Sequence, residues 1–186
     1  MNLKRHILSI SLIVAVIMII SIFTSLYGST PVTKSADSTL VDQKISAKVI
    51  ILGHNDFINR IGNAFYERVE TLITMRDLKT DIVQHADKNT ILVIDGSWLI
   101  DNAERNEVKE VIKIFAESGA LIYVYGSEAS HLFKILKETG VEKFPRIPQI
   151  RTGAGYMKIT PNYFVVIYGA KPDDILSTFI EHRKEQ

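Results

Sequence analysis

Four stretches set polar, chemically capable side chains directly after apolar runs. Gly53-His54-Asn55-Asp56 follows KVIIL, and Asp95-Gly96-Ser97-Trp98 follows ILVI. Gly126-Ser127-Glu128, with Ser130 and His131 beyond, follows LIYVY, and Gly169-Ala170-Lys171 follows YFVVIY. A carboxylate beside a hydroxyl and an ammonium can hold a cation or orient the oxygens of a transferred group. An imidazole can take up or release a proton near neutrality. The catalytic candidates are therefore Asp95, Ser127, Lys171 and His131. The binding candidates are His54, Asp56, Asp95, Ser97, Trp98 and Glu128. Each has a structural alternative. Asn55, Asp56, Asp101 and Ser127 are good helix caps. Asp95 can hold loop amides, His54 can fill a loop, and Trp98 beside Leu99 and Ile100 suits packing.

The elements that must position these groups alternate. Lys48–Gly53, Ile91–Asp95 and Leu121–Tyr125 are short, continuous apolar runs, which suit strands covered on both faces, as in a parallel sheet. Phe57, Ile58, Ile61, Phe65 and Val69 fall on one helical face, with Asn55 or Asp56 as its cap. Val108, Val111, Ile112, Phe115 and Ala116 make a second stripe, which Asp101 can cap and Gly119 can end. Leu132, Phe133 and Leu136 mark a third helix, opening near Ser127 and stopping at Gly140. Pro172 suits the first turn of a last helix carrying Ile175, Leu176, Phe179 and Ile180. Thr71–Met75 reads as a short strand and Leu78–His85 as a short helix. Tyr156–Thr160 and Tyr163–Gly169 flank Pro161-Asn162 as a hairpin. The order β-α-β-α-β-α-β-α-ββ-α predicts an α/β fold, a three-layer sandwich around a mostly parallel Rossmann/flavodoxin-like sheet. In such sheets the site lies at the carboxyl ends of the strands, where the polar stretches fall.

Other chemistry is excluded. The chain of 186 residues has no Cys, so it has no disulfide, no thiolate metal site and no thiol nucleophile. Its five His show no metal-ligand spacing, and no Gly-rich phosphate loop is present. No metal or cofactor is expected. A net charge of +1 argues against a nucleic-acid partner. The loop 141–157 is unusual in carrying Lys143, Arg146 and Arg151 against Glu142 alone. Arg146 and Arg151 join the binding candidates, since such a loop can rest on an anion or on anionic headgroups.

Two families share parts of this pattern. The order of elements, with Asp95, Ser127 and Lys171-Pro172 at strand ends, resembles the receiver domain of two-component signalling. That resemblance implies Asp95 as phosphoacceptor, Ser127 and Lys171 as phosphoryl contacts, and a divalent cation. At the end of the first strand only Asp56 stands where the family has an acidic pair. The stretch Ile91–Gly126 is similar to class I glutamine amidotransferase-like domains. Members with chemistry place a Cys after the strand that here ends Tyr125-Gly126, and this chain has none. The second resemblance implies a fold and a groove without catalysis.

The N-terminus carries a different signal. From Ile7 to Tyr27 there is no charged residue, and Lys4 and Arg5 precede the run. Twenty-one helical residues would rise about 31 Å, the thickness of a bilayer core. The run is longer than a signal peptide's apolar region and lacks well-placed small residues at a cleavage point. An uncleaved anchor through residues 7–27 is the expectation, and secretion after cleavage the alternative. Basic residues flanking a span stay inside, so the N-terminus is expected in the cytoplasm and the rest outside. Residues 28–44, rich in Ser, Thr and Asp, read as a tether. Setting aside Lys4 and Arg5 from the 22 basic residues leaves 20 against 21 acidic ones in the remainder. The expected organisation is an anchor (1–27), a tether (28–44) and one globular domain (45–186). With no complete catalytic constellation, the function expected of that domain is binding a protein or small-molecule ligand. A degenerate hydrolase or phosphoacceptor is the alternative.

Overall fold

The computed structural model describes residues 44–183. The expected anchor and most of the expected tether fall outside them. Six strands and five α-helices follow in order: β1 (Ile45–Leu52), α1 (Asn55–Tyr66), β2 (Val69–Met75), β3 (Thr90–Asp95), α2 (Gly96–Asn102), α3 (Asn106–Glu117), β4 (Leu121–Tyr125), α4 (Ser130–Glu138), β5 (Gly153–Thr160), β6 (Tyr163–Tyr168) and α5 (Pro172–Arg183). Short 3-10 turns at Ile82–His85 and Ser127–Ala129 complete the set. Among the described residues no helix is long and apolar enough to cross a membrane.

The strands form one mixed sheet in the order β2-β1-β3-β4-β5-β6. β2, β1, β3 and β4 run parallel, while β5 is antiparallel to both β4 and β6. The expected strand and helix alternation is present, but the sheet is parallel only over its first four strands. The reason lies in the connections. α4 and the long loop after it return the chain to the carboxyl edge, where Gly153 pairs with Tyr125, so β5 must run back down.

Continuous apolar runs are explained by two cores. Alternate strand residues feed opposite faces. Ile50, Leu52, Leu92, Ile94, Ile122 and Val124 pack with Leu99, Phe115 and Phe133 from α2, α3 and α4. Val49, Ile51, Ile91, Val93, Leu121 and Tyr123 pack with Phe57, Ile61 and Phe65 from α1 and Ile175, Leu176 and Phe179 from α5. Helices thus cover both faces. Each fully buried Leu, Ile or Phe stabilises this arrangement by about 1.5–3 kcal/mol.

Several boundaries differ from expectation. Val69 opens β2 rather than ending α1. Residues 78–85 form only a single 3-10 turn, too few apolar positions being present for an α-helix. Asp101 lies inside α2, a helix the sequence reading passed over, and Arg105 rather than Asp101 precedes α3. β5 starts at Gly153, earlier than Tyr156, because Gly155 serves packing. A side chain there would run into the Tyr123 ring, at 2.8 Å, and Ile167, at 2.9 Å.

Candidate functional site

The sheet order reverses at β1 and β3. From β1 the chain crosses through α1 to β2 on one side. From β3 it crosses through α2 and α3 to β4 on the other. The helices leave toward opposite faces and open a crevice at the carboxyl ends, the usual ligand position in such sheets. His54 follows β1, and Asp95 ends β3 directly beside it.

Asp95 is the hub. It is only 9% exposed. One carboxylate oxygen, Oδ1, accepts from the Ser97 amide at 3.1 Å and the Ser97 hydroxyl at 2.8 Å. The other, Oδ2, accepts from the His54 amide at 3.3 Å and from His54 Nδ1 at 2.9 Å. Burial pushes the Asp95 carboxyl up, but the Ser97 and His54 hydrogen bonds outweigh it and hold the group below its ordinary range. The Ser97 amide bond is also the cap of α2. Asp95 therefore serves as both helix cap and clamp on the loop after β1. Gly53 makes the close approach possible, since a side chain there would collide with the Asp95 Cβ.

The three residue types suggest a nucleophile relay, and the geometry does not supply one. In a relay the carboxylate holds one imidazole nitrogen and the serine addresses the other. Here Ser97 Oγ lies 3.3 Å from His54 Nδ1, the nitrogen that already faces Asp95. The Ser97 hydroxyl proton is given to Asp95 Oδ1. A charged carboxylate only accepts, so Nδ1 carries the hydrogen, and in the neutral imidazole Nε2 presents a lone pair. The His54 side chain is 55% exposed, and among the described residues Nε2 makes no hydrogen bond.

The other candidates spread along the carboxyl edge and beyond. Asp56 is exposed in the first turn of α1. The Glu128 side chain stands against Gly96 and Gly126, next to the start of α2. The Ser127 hydroxyl donates to Glu128 Oε1 at 2.9 Å. His131 donates from Nδ1 to the Glu128 carbonyl at 3.0 Å. Trp98 is 4% exposed and belongs to the core under α2. Neither Ser127 nor Lys171 is among Asp95's hydrogen-bond partners. Lys171 follows β6, and β4 and β5 separate that strand from β3, a lateral distance of about 14 Å. It borders an open cavity of about 370 Å³ between α1 and α5, with Asn63, Glu67, Arg68 and Asp173. Arg68 and Asp173 form an ion pair there.

Arg146 and Arg151 are exposed, as is Lys143. Their loop is pinned from below by Phe144 and Ile147, which pack on the core, and by buried Ile150. Phe144 meets Phe133, Tyr156 and Phe164 edge-on. Glu142 turns inward and accepts from the Tyr156 hydroxyl at 3.0 Å, so the loop's outward charge is basic. The pairing of His54 with Asp95 is the feature that sequence reading missed. The two lie 41 positions apart, and only the parallel register of β1 and β3 brings them together. No group of His, Asp and Glu suited to a metal ion occurs among the described residues. Comparison with protein-family models, with curated proteins and with solved structures finds no match to this chain.

Proposed function

We propose that this chain is a single-pass membrane protein whose residues 45–186 form an extracytoplasmic, non-catalytic binding domain. Its ligand, a small molecule or a protein segment, would sit at the crevice between the ends of β1 and β3. The three-layer, Rossmann-like order around that crevice supports the position. The carrying observation is the state of Asp95, whose four hydrogen bonds use both oxygens and also occupy the Ser97 hydroxyl. That leaves the cluster without a serine–imidazole relay, since the Ser97 proton goes to Asp95 rather than to the free imidazole nitrogen. It leaves the exposed His54 imidazole, in one fixed tautomer, as an acceptor for a ligand N–H or O–H. The phosphoacceptor alternative needs Lys171 beside Asp95, and two strands stand between them.

The test uses the full chain in bilayer nanodiscs. Imidazole ¹⁵N spectra of His54 are recorded against panels of small molecules and peptides, and ester and phosphate-ester probes are assayed for turnover. Binding is expected to move the Nε2 resonance while Nδ1 keeps its bond to Asp95, with no turnover above background. A turnover that Asp95→Asn abolishes while the fold is retained overturns the reading.

A further inference from the structure

We infer that β6 is a self-pairing edge, through which two copies of this chain join their sheets antiparallel into one of twelve strands. Among the described residues β6 is the last strand of the sheet, bonded only to β5. An edge strand presents a row of unpaired amides and carbonyls, and proteins that stay monomeric blunt it with Lys, Pro, bulges or a short length. β6 reads YFVVIY across six residues, with no charge, Pro or Gly. Tyr163 and Tyr168, at its two ends, are 50% and 59% exposed. The four residues between them are half-buried. The opposite edge differs: β2 carries Glu70, with Glu67 and Arg68 before it and Arg76 and Asp77 after it.

The occupant follows from the strand itself. Edge pairing is made by the backbone, and a second β6 can supply it without bringing like charges together. Residues opposed in an antiparallel pair share a face of the sheet, and faces alternate along each strand. A two-fold pairing must therefore oppose odd to odd and even to even, which places the axis on a residue, and the overlap is longest with it on Val165 or Val166. With the axis on Val166, Phe164 opposes the second copy's Tyr168 and Val165 opposes its Ile167. With the axis on Val165, Tyr163 opposes Ile167 and Phe164 opposes Val166. Both registers consist of aromatic and β-branched pairs, the favourable kind. The tyrosines alone would cover about 400 Å² over two copies, and the strand backbones and half-buried residues add to this. A contact of this kind is smaller than a stable interface, which implies a weak, reversible dimer.

The chain's lack of Cys makes the test clean. Full-length chain carrying one introduced Cys is oxidised in detergent micelles. Val165→Cys or Val166→Cys is expected to cross-link into dimers. Tyr163→Cys is not, because its copies would lie at least about 13 Å apart, beyond the roughly 7 Å limit for a disulfide. Val165 packs in neither core, so Val165→Lys is expected to keep the fold while abolishing the dimer by sedimentation, and Val165→Thr to keep both. Failure of both axis positions to cross-link, or equal cross-linking at Tyr163→Cys, overturns the inference. So do a dimer indifferent to Val165→Lys and open-ended oligomers in place of a dimer.

Discussion

His54 Nδ1 and Asp95 Oδ2 stand 2.9 Å apart, joining the ends of two neighbouring parallel strands. The contact ties two crossovers that leave the sheet on opposite faces. Asp95 spends its other oxygen on Ser97, so one side chain fixes the first turn of α2 and the loop before α1. A single carboxylate thereby sets both walls of the crevice. It is charge and geometry together that do so, since either oxygen alone would hold only one wall.

Asp95 should govern the acid sensitivity of the domain. Burial raises its pKa, but the Ser97 and His54 bonds lower it further, so the folded carboxyl stays ionised to lower pH than the unfolded one. The unfolded state then binds more protons below about pH 4, and stability rises with pH through that window. Stability from this group is present above the window and lost as pH falls through the folded pKa. Asp95→Asn is expected to lower stability at neutral pH by about 1–3 kcal/mol and to flatten this part of the acid limb. Urea midpoints of the chain in detergent, taken from about pH 2 to about pH 6, check both effects.

Gly53→Ala should be disproportionately harmful for one methyl group. The new Cβ would fall on the Asp95 Cβ and close to Phe57. Relief requires shifting the β1 end away from β3, which pulls His54 from Asp95. A loss of about 1–3 kcal/mol is expected, typical of overpacking. The His54 imidazole spectrum should change in the same variant. An alanine variant with native stability and an unchanged spectrum would show that the strand ends have slack.

The layered architecture was legible because burial on both faces leaves a plain mark. Ile91–Ile94 alternate between the two cores, and so none of them is polar. The antiparallel β5 was less legible. Gly153 and Gly155 lack strand-forming side chains, and their reason for being small is the Tyr123 ring on a strand thirty positions earlier. Asp95 was recognised as a strand-end group from its place alone. Its partner was not, because pairing of β1 with β3 across an intervening strand in sequence is a tertiary fact. Trp98 stood open to a packing role or a binding role, and α2 turns it into the core. The loop after α4 looked like a basic connection, while Phe144, Ile147 and Ile150 anchor it.

Two neighbouring tyrosines on one face should respond oppositely to the same change. The Tyr123 hydroxyl donates to the Ala170 carbonyl at 3.1 Å, tying β4 to the turn before α5. Among the described residues the buried Tyr125 hydroxyl has no hydrogen-bond partner, and its ring packs edge-on against Phe57 and Tyr123. Burial pushes both phenols above their ordinary range. Tyr123→Phe removes a made bond and orphans a carbonyl, a loss of about 1 kcal/mol or more. Tyr125→Phe removes an unpaid desolvation and is expected to be neutral or stabilising by up to about 1 kcal/mol. Denaturation midpoints of the two variants, with the ring packing kept in each, decide the matter. A destabilised Tyr125→Phe would mean that the hydroxyl has a partner in solution.

The expected anchor can be tested independently of the domain's ligand. Ile7–Tyr27 carries no charge, and the flanking Lys4 and Arg5 lie on its N-terminal side. The first basic residue beyond it is Lys34, followed by Asp37 and Asp42. Because basic flanks are retained in the cytoplasm, the tether and domain should be exported. An alkaline phosphatase fused after Gln186 folds into an active enzyme only outside, and is expected to be active there. Moving the charge should move the topology: Lys4→Glu with Arg5→Glu, combined with two Lys inserted after Tyr27, is expected to reduce that activity. Membrane pellets should retain the wild-type fusion at its full length, since a cleaved segment would release it to the soluble fraction. An active fusion that is soluble and shortened would establish secretion, and a full-length fusion that is inactive would exclude an outside domain.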